Sequence, residues 1–159
     1  MPKKLWEPSK GLIKNSNLFA YEKFISKYYK YNLSRNYTKL LKWSLKNPKD
    51  FWNSIWKYFE VIGIKTNKFK LTKDLINSKF FVNSKLNFTE NLLVKNSNQK
   101  AITFVSENGY REQKSWKELN TDVKKIISFY KKISISKNDR IAAYTPNQIE
   151  TVECFLGAS

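Results

Sequence analysis

Residues 140–156 read RIAAYTPNQIETVECFL, and no other stretch restricts the fold as tightly. The run RIAAYTP, bounded by Asp139 and Pro146, is apolar at consecutive rather than alternate positions. A strand of that pattern is buried on both faces, which is the habit of parallel sheets covered by helices on either side. After it, Asn147 is placed to cap a helix carried by Ile149, Val152, Phe155 and Leu156. Such a strand needs neighbouring strands for its N–H and C=O groups and helices for its side chains. The 159 residues supply only the beginning of that set, so the expectation is of a truncated sheet whose cover lies in further polypeptide.

The residues just upstream fit the same architecture. AITFVSENGYREQKSW reads as two strands around Glu107-Asn108-Gly109, a turn in which Asn and Gly readily supply positive φ. Ser115 and Glu118 form a capping box ahead of Trp116, Leu119, Val123, Ile126, Ile127 and Tyr130, which mark an amphipathic helix. The turn ISKND follows. Strand, helix, buried strand and helix make the opening of a doubly wound α/β sheet.

The first 98 residues obey a different grammar. Leu18, Phe19, Tyr21, Phe24, Ile25, Tyr28 and Tyr29 form a helical stripe behind Ser16 and Asn17 as caps. Beyond a polar break at residues 32–36, a second stripe runs through Leu40, Leu41, Trp43 and Leu45 to Phe51, Trp52, Ile55, Trp56 and Phe59. Pro48 divides it into two short helices, since proline is tolerated in a first helical turn, and Asp50 adds favourable charge there. From Thr66 to Lys100, short apolar clusters separated by Asn, Ser and Lys show no period, as in an irregular segment that wraps over a larger body. The predicted class is therefore α/β, with a helical and irregular amino-terminal cap over residues 1–98 and the truncated start of a large α/β domain over residues 99–159.

Composition narrows the chemistry. There is no histidine, and Cys154 is the sole cysteine, which excludes Ser-His-Asp and Cys-His catalysis, internal disulfides and cysteine-built metal sites. Thirty Lys and Arg against thirteen Asp and Glu give a net charge of +17, an excess that attracts nucleic acid or anionic surfaces. Only Arg35, Arg111 and Arg140 are arginines, however, and the lysines are scattered along helical faces amid abundant Asn, Ile, Tyr and Phe, the pattern of an AT-rich coding drift. A standalone basic module stacking single-stranded nucleic acid on Trp43, Trp52 and Trp56 stays open beside a reading of those rings as core. Neither a secretory leader nor an apolar run of about twenty residues occurs, so the expected location is the cytoplasm, with no membrane partner.

Four stretches carry a likeness in collinear order: LWEPS at Leu5–Ser9, LLKWSLKNPKDFW at Leu40–Trp52, LNFTENLL at Leu86–Leu93 and NDRIAAYTPNQIETVECFLGAS at Asn138–Ser159. Together they resemble the amino-terminal region of the acetoacetyl-CoA synthetases, within the adenylate-forming acyl-CoA synthetase superfamily. Thr89 departs from the family, which more often has alanine there. The resemblance implies a ligase in which a carboxylate attacks the α-phosphate of ATP to give an acyl-adenylate and pyrophosphate, after which the thiol of CoA displaces AMP, with Mg²⁺ offsetting phosphate charge. It implies acetoacetate or a related short acid as substrate, ATP, CoA and Mg²⁺ as cofactors, and residues 99–159 as the start of an AMP-binding domain. The glycines Gly11, Gly63, Gly109 and Gly157 are too dispersed for a phosphate loop, and the family's Ser/Thr/Gly-rich loop is not found. No catalytic, cofactor-binding or metal residue is therefore assigned, and the 159 residues alone are expected to be inactive. Cys154 reads as a packed thiol rather than a nucleophile, and Asp139 with Arg140 as a turn-stabilising pair rather than ligand contacts. A decayed remnant without activity fits the same sequence.

Overall fold

The computed structural model describes residues 5–159, the side chain of Leu75 excepted, and they form two units. The first comprises residues up to Val61 together with Lys65–Ser84; the second comprises Ile62–Ile64 and Lys85–Ser159.

In the first unit, α1 (Lys10–Lys14) is a single turn capped by Ser9, a helix not foreseen from the sequence, directly after the LWEPS stretch. Ser16 caps α2 (Asn17–Tyr29) by accepting from the Phe19 amide at 3.2 Å, as its position ahead of the stripe predicts. Then α3 (Tyr37–Lys46) and α4 (Pro48–Tyr58) meet at a corner, with Pro48 in the first turn of α4 and Asp50 beside it. Asn47 serves the helix before it: its backbone amide donates to the Trp43 carbonyl at 2.8 Å, and its side-chain Nδ2 donates to the same oxygen at 3.1 Å.

The apolar stripes of α2 and α3 converge on Tyr21, Ile25, Leu33, Leu40 and Trp43, with Phe51, Ile55 and Tyr58 of α4 packed against them. Burying each of the aliphatic members contributes about 1.5–3 kcal/mol. The Tyr21 hydroxyl lies 2.6 Å from Ser54 Oγ, and Ser54 donates to the Phe51 carbonyl, so these two hydroxyls are paired, whereas the buried Asn53 Oδ1 of α4 finds no hydrogen-bond partner. The segment expected to be irregular over residues 66–100 is so except at Phe88–Leu92, which form a short helix of the second unit. It holds a lone bridge between Lys70 and Lys79, a 3₁₀ turn at Leu75–Asn77, and three rings, Phe69, Phe80 and Phe81, two of which press on Trp52 and Trp56.

The second unit is organised by a hairpin and two helices. Strands β1 (Lys100–Val105) and β2 (Arg111–Ser115) pair antiparallel, with a register irregularity between Lys100 and Ile102. The turn forms where it was expected: Gly109 adopts φ +84°, its amide donates to the Ser106 carbonyl at 3.0 Å, and the Ser106 amide donates to Tyr110. Helix α6 (Trp116–Lys132) opens with the complete capping box of Ser115 and Glu118. Helix α7 (Ile149–Ala158) packs against it, and Leu119, Val123 and Leu156 form the core between them. Gly157 permits the approach, because a Cβ there would stand 2.6 Å from Ile126 Cγ2. A short helix α5 (Phe88–Leu92) completes the unit, and its Asn91 clamps Ile62 by accepting from its amide and donating to its carbonyl.

Two expectations fail. Residues 140–146 form no strand: they lie exposed, with no regular secondary structure and no strand paired to them among the described residues. An apolar run commits to a ladder only when a neighbouring strand takes its backbone groups, and β1 and β2 of the hairpin pair only with each other. The cap of α7 is Gln148 rather than Asn147, and no side chain hydrogen-bonds to that helix start. The α/β class itself stands, as helices with a small sheet.

Candidate functional site

The most unusual chemistry in the structure is an ion cluster at the foot of the hairpin. Lys114 sits on the inward side of β2, where a strand's alternation turns every second residue toward the helices. Its ammonium donates to Glu153 Oε1 of α7 at 2.6 Å and to Asp122 Oδ2 of α6 at 2.8 Å. Asp122 in turn accepts from Lys125 at 2.8 Å. The Glu153 side chain is only 4% exposed, against 18% for Lys114 and 25% for Asp122.

Burial pulls the Lys114 ammonium toward neutrality, but hydrogen bonds and charge from the two carboxylates outweigh it and hold its pKa well above the usual lysine value. Hydrogen bonds from Lys114 and Lys125 hold Asp122 below the ordinary carboxylate range. Every charged group is met by an opposite one, and no nucleophile stands within the cluster. The arrangement ties strand, helix and helix together rather than activating a proton donor or base.

Beside it, α5 closes the far end of α7. The buried Thr89 hydroxyl donates to the Leu156 carbonyl at 2.7 Å, and Asn87 Nδ2 donates to the Ser159 carbonyl at 2.7 Å. The Leu156 carbonyl belongs to the last turn of α7, where carbonyls have no partner inside the helix, and Ser159 is its C-cap. The threonine that departs from the likeness thus has a definite task.

The residues singled out from sequence fall elsewhere. Cys154 is half-buried, and its carbonyl accepts from the Tyr130 hydroxyl at 3.4 Å. Asp139 stabilises its turn, but through Ser136, whose amide and hydroxyl donate to Oδ2 at 2.7 and 3.1 Å; the expected pairing with Arg140 is not among the ion pairs of the described residues. Trp43 is buried and is no stacking platform. Trp52 and Trp56 are engaged by Phe80 and Phe81, and Lys65 lies over the Trp56 and Phe81 rings, its pKa drawn down by burial. Among the described residues, no three Asp, Glu, Cys or His side chains gather as metal ligands, and no helix is long and apolar enough to cross a membrane. Sequence reasoning missed the Lys114 cluster. Its signals were Lys114 at an inward strand position and Glu153 inside the otherwise apolar TVECFL.

With the geometry in view, the known relatives can be compared. The family model described as acetyl-coenzyme A synthetase N-terminus matches residues 37–92. The acetoacetyl-coenzyme A synthetase of Rhizobium meliloti (strain 1021) is 27% identical over 98% of this chain and 24% of its own length. The acetoacetyl-CoA synthetase of Xenopus tropicalis is 32% identical over 78% of this chain and 19% of its own. The malonamoyl-CoA synthetase vrtB of Penicillium aethiopicum is 28% identical over 98% and 22%. Among solved structures, the acetoacetyl-CoA synthetase from Streptomyces lividans superposes with a TM-score of 0.87 at 20% identity, over 99% of this chain and 25% of that one. The chain is thus similar along almost its whole length to acetoacetyl-CoA synthetases, as the four collinear stretches imply, and it spans about a quarter or less of the length of these relatives.

Proposed function

We propose that this chain is the amino-terminal portion of an ATP-dependent acetoacetate–CoA ligase, forming acetoacetyl-CoA, AMP and pyrophosphate through an acyl-adenylate. The observation that carries the reading is collinear similarity over 98% of the chain to an acetoacetyl-coenzyme A synthetase. On this reading its partners are a small carboxylic acid and the remainder of its own polypeptide, it works in the cytoplasm, and neither nucleic acid nor a membrane is a partner.

ATP, CoA and Mg²⁺ belong to that reaction, and the donor set here does not fit them. The four glycines are dispersed, and the described residues gather no metal-binding carboxylates. No chemical step is assigned to residues 5–159. Similar identity to a malonamoyl-CoA synthetase supports the common part of the reading, ligation of a short three- or four-carbon acid bearing a β-carbonyl, with acetoacetate favoured by the acetoacetyl-CoA synthetases.

The test is acetoacetate-dependent ATP–pyrophosphate exchange. The 159-residue chain alone gives none, and a polypeptide extended by the reading frame downstream of Ser159 restores it. A stop codon directly after Ser159, or an extended chain that adenylates no short acid, would overturn the reading.

A further inference from the structure

The first unit holds a trough of about 490 Å³ between α2, which contributes Phe19, Glu22, Lys23 and Lys27, and the loop that ends at Arg35. One residue of its lining is chemically unserved. Glu22 is 7% exposed, yet no hydrogen bond or ion pair reaches its carboxylate among the described residues. Its oxygens are not sealed in as Asn53 Oδ1 is, so the accessibility they keep is on the trough that Glu22 lines. Burial raises the Glu22 pKa above the usual glutamate value, and the charge of Arg35 offsets this only in part.

The other polar groups of the lining are engaged. Ser26 donates to the Tyr31 carbonyl at 3.1 Å, and Asn32 Oδ1 accepts from the Ser34 amide at 2.9 Å. The cations rest on rings: Lys23 Nζ lies 4.6 Å and Arg35 Cζ 5.2 Å from the Phe19 centroid, and Lys27 Nζ lies 5.2 Å from that of Tyr28. Contacts of that kind at exposed positions are weak, so the three cations are free to turn to a ligand.

Two needs therefore meet in one place. A buried carboxylate calls for a hydrogen-bond donor, and three cations against one carboxylate leave positive charge in excess. A metal ion or a simple amine is repelled by that excess, and a zwitterion leaves it unmatched. Sulfate matches the charge but offers Glu22 no donor. A phosphate monoester carries about −1.5 to −2 at neutral pH on one centre, which suits Lys23 and Arg35 sharing a single ring, and a polyol attached to it supplies hydroxyl donors.

We propose that this trough binds a phosphorylated polyol, in the simplest case a sugar phosphate, with Lys23, Lys27 and Arg35 on the phosphate and a ligand hydroxyl donating to Glu22. The site lies wholly within the first unit and is independent of the ligation reading.

The probe is ribose-5-phosphate, titrated calorimetrically into the 159-residue chain at about 150 mM salt, where long-range attraction to the net charge is screened. It binds about 10-fold or more tighter than sulfate, the factor that a hydrogen bond to a charged group supplies, and its amide shifts centre on Phe19–Lys27 and Asn32–Arg35. Sulfate binding as tightly, or shifts spread over the lysines of both units, would assign the binding to overall charge and overturn the proposal. Malate, a dianion with a hydroxyl but no phosphate, binds more weakly; equal affinity for malate overturns the choice of a phosphate. Glu22→Leu costs ribose-5-phosphate about 10-fold while sulfate binds as well or better, because a negative charge has left the trough. Arg35→Ala, at an exposed residue, weakens both ligands. Hydrogen-exchange protection of Ile25 and Trp43 in the core beneath verifies that each variant keeps the fold. Parent-like binding of ribose-5-phosphate by either variant overturns the proposal.

Discussion

Replacing Lys114 with methionine keeps most of the side-chain volume and deletes the charge that holds the second unit's cluster together. The loss falls unevenly on its two partners. Asp122 keeps Lys125 at 2.8 Å and is 25% exposed, so it loses little. Glu153, 4% exposed, has Lys114 as its ion-pair partner at 2.6 Å and is left as an uncompensated buried carboxylate. Removing one member of a buried pair costs about 3–5 kcal/mol, and the 18% exposure of Lys114 places this case near about 3 kcal/mol. Asp122→Asn, by contrast, leaves the Lys114–Glu153 bond intact and costs about 1 kcal/mol. Four of the five tryptophans belong to the first unit, so whole-chain fluorescence reports poorly on this change. Native-state hydrogen exchange at α6 and α7 amides reads the second unit directly. If desolvation of Glu153 is the cause, adding Glu153→Leu to Lys114→Met regains most of the loss, because an apolar pair of similar volume needs no counter-charge. A single variant costing less than about 1 kcal/mol, or a double variant no more stable than the single, would refute the assignment of Glu153 as the stranded charge.

Thr89→Ala deletes the hydroxyl that donates to the Leu156 carbonyl and destabilises the second unit by about 1–2 kcal/mol, measured by hydrogen exchange at α7; an unchanged α7 would show that solvent satisfies that carbonyl equally well. Gly157→Ala drives a methyl to within 2.6 Å of Ile126 Cγ2 and costs about 1–3 kcal/mol, and the same change costs less in an Ile126→Ala background, which lacks that Cγ2. In the first unit, Ser54→Ala leaves the buried Tyr21 hydroxyl without its 2.6 Å partner and lowers stability in urea by about 1–3 kcal/mol, whereas Tyr21→Phe with Ser54→Ala costs less than the serine change alone. With pH, Asp122 has a folded pKa below its unfolded one, so its contribution is full above the ordinary aspartate range of about 4 and disappears as pH falls through the lower folded value. Lys114 is shifted upward, so its contribution is full below about 10.4 and disappears as pH rises through the higher folded value. Second-unit stability is accordingly level between those limits, and a slope near neutral pH in urea titrations would contradict both shifts.

What could be read from residues alone was whatever local chemistry decides. The capping box at Ser115, the Asn-Gly turn, the Pro48 corner and the stripes feeding Tyr21, Ile25 and Trp43 each depend on residues a few positions apart, and each forms as its pattern requires. The Lys114 cluster escaped notice because it joins residues as far as 39 positions apart, and no local spacing announces a charge on a strand that will meet one in the middle of an apolar helix. Thr89 is the same case at a separation of 67, a hydroxyl whose use depends on where α7 ends. The failure at residues 140–146 has the opposite character. There the pattern asks for burial on both faces, and the fold leaves the segment exposed because the partners that would satisfy it are not among the elements around it. The other local readings that fail, the Asn147 cap and the Asp139–Arg140 pair, flank the same segment, so the mismatch between local pattern and structure is concentrated at residues 139–147.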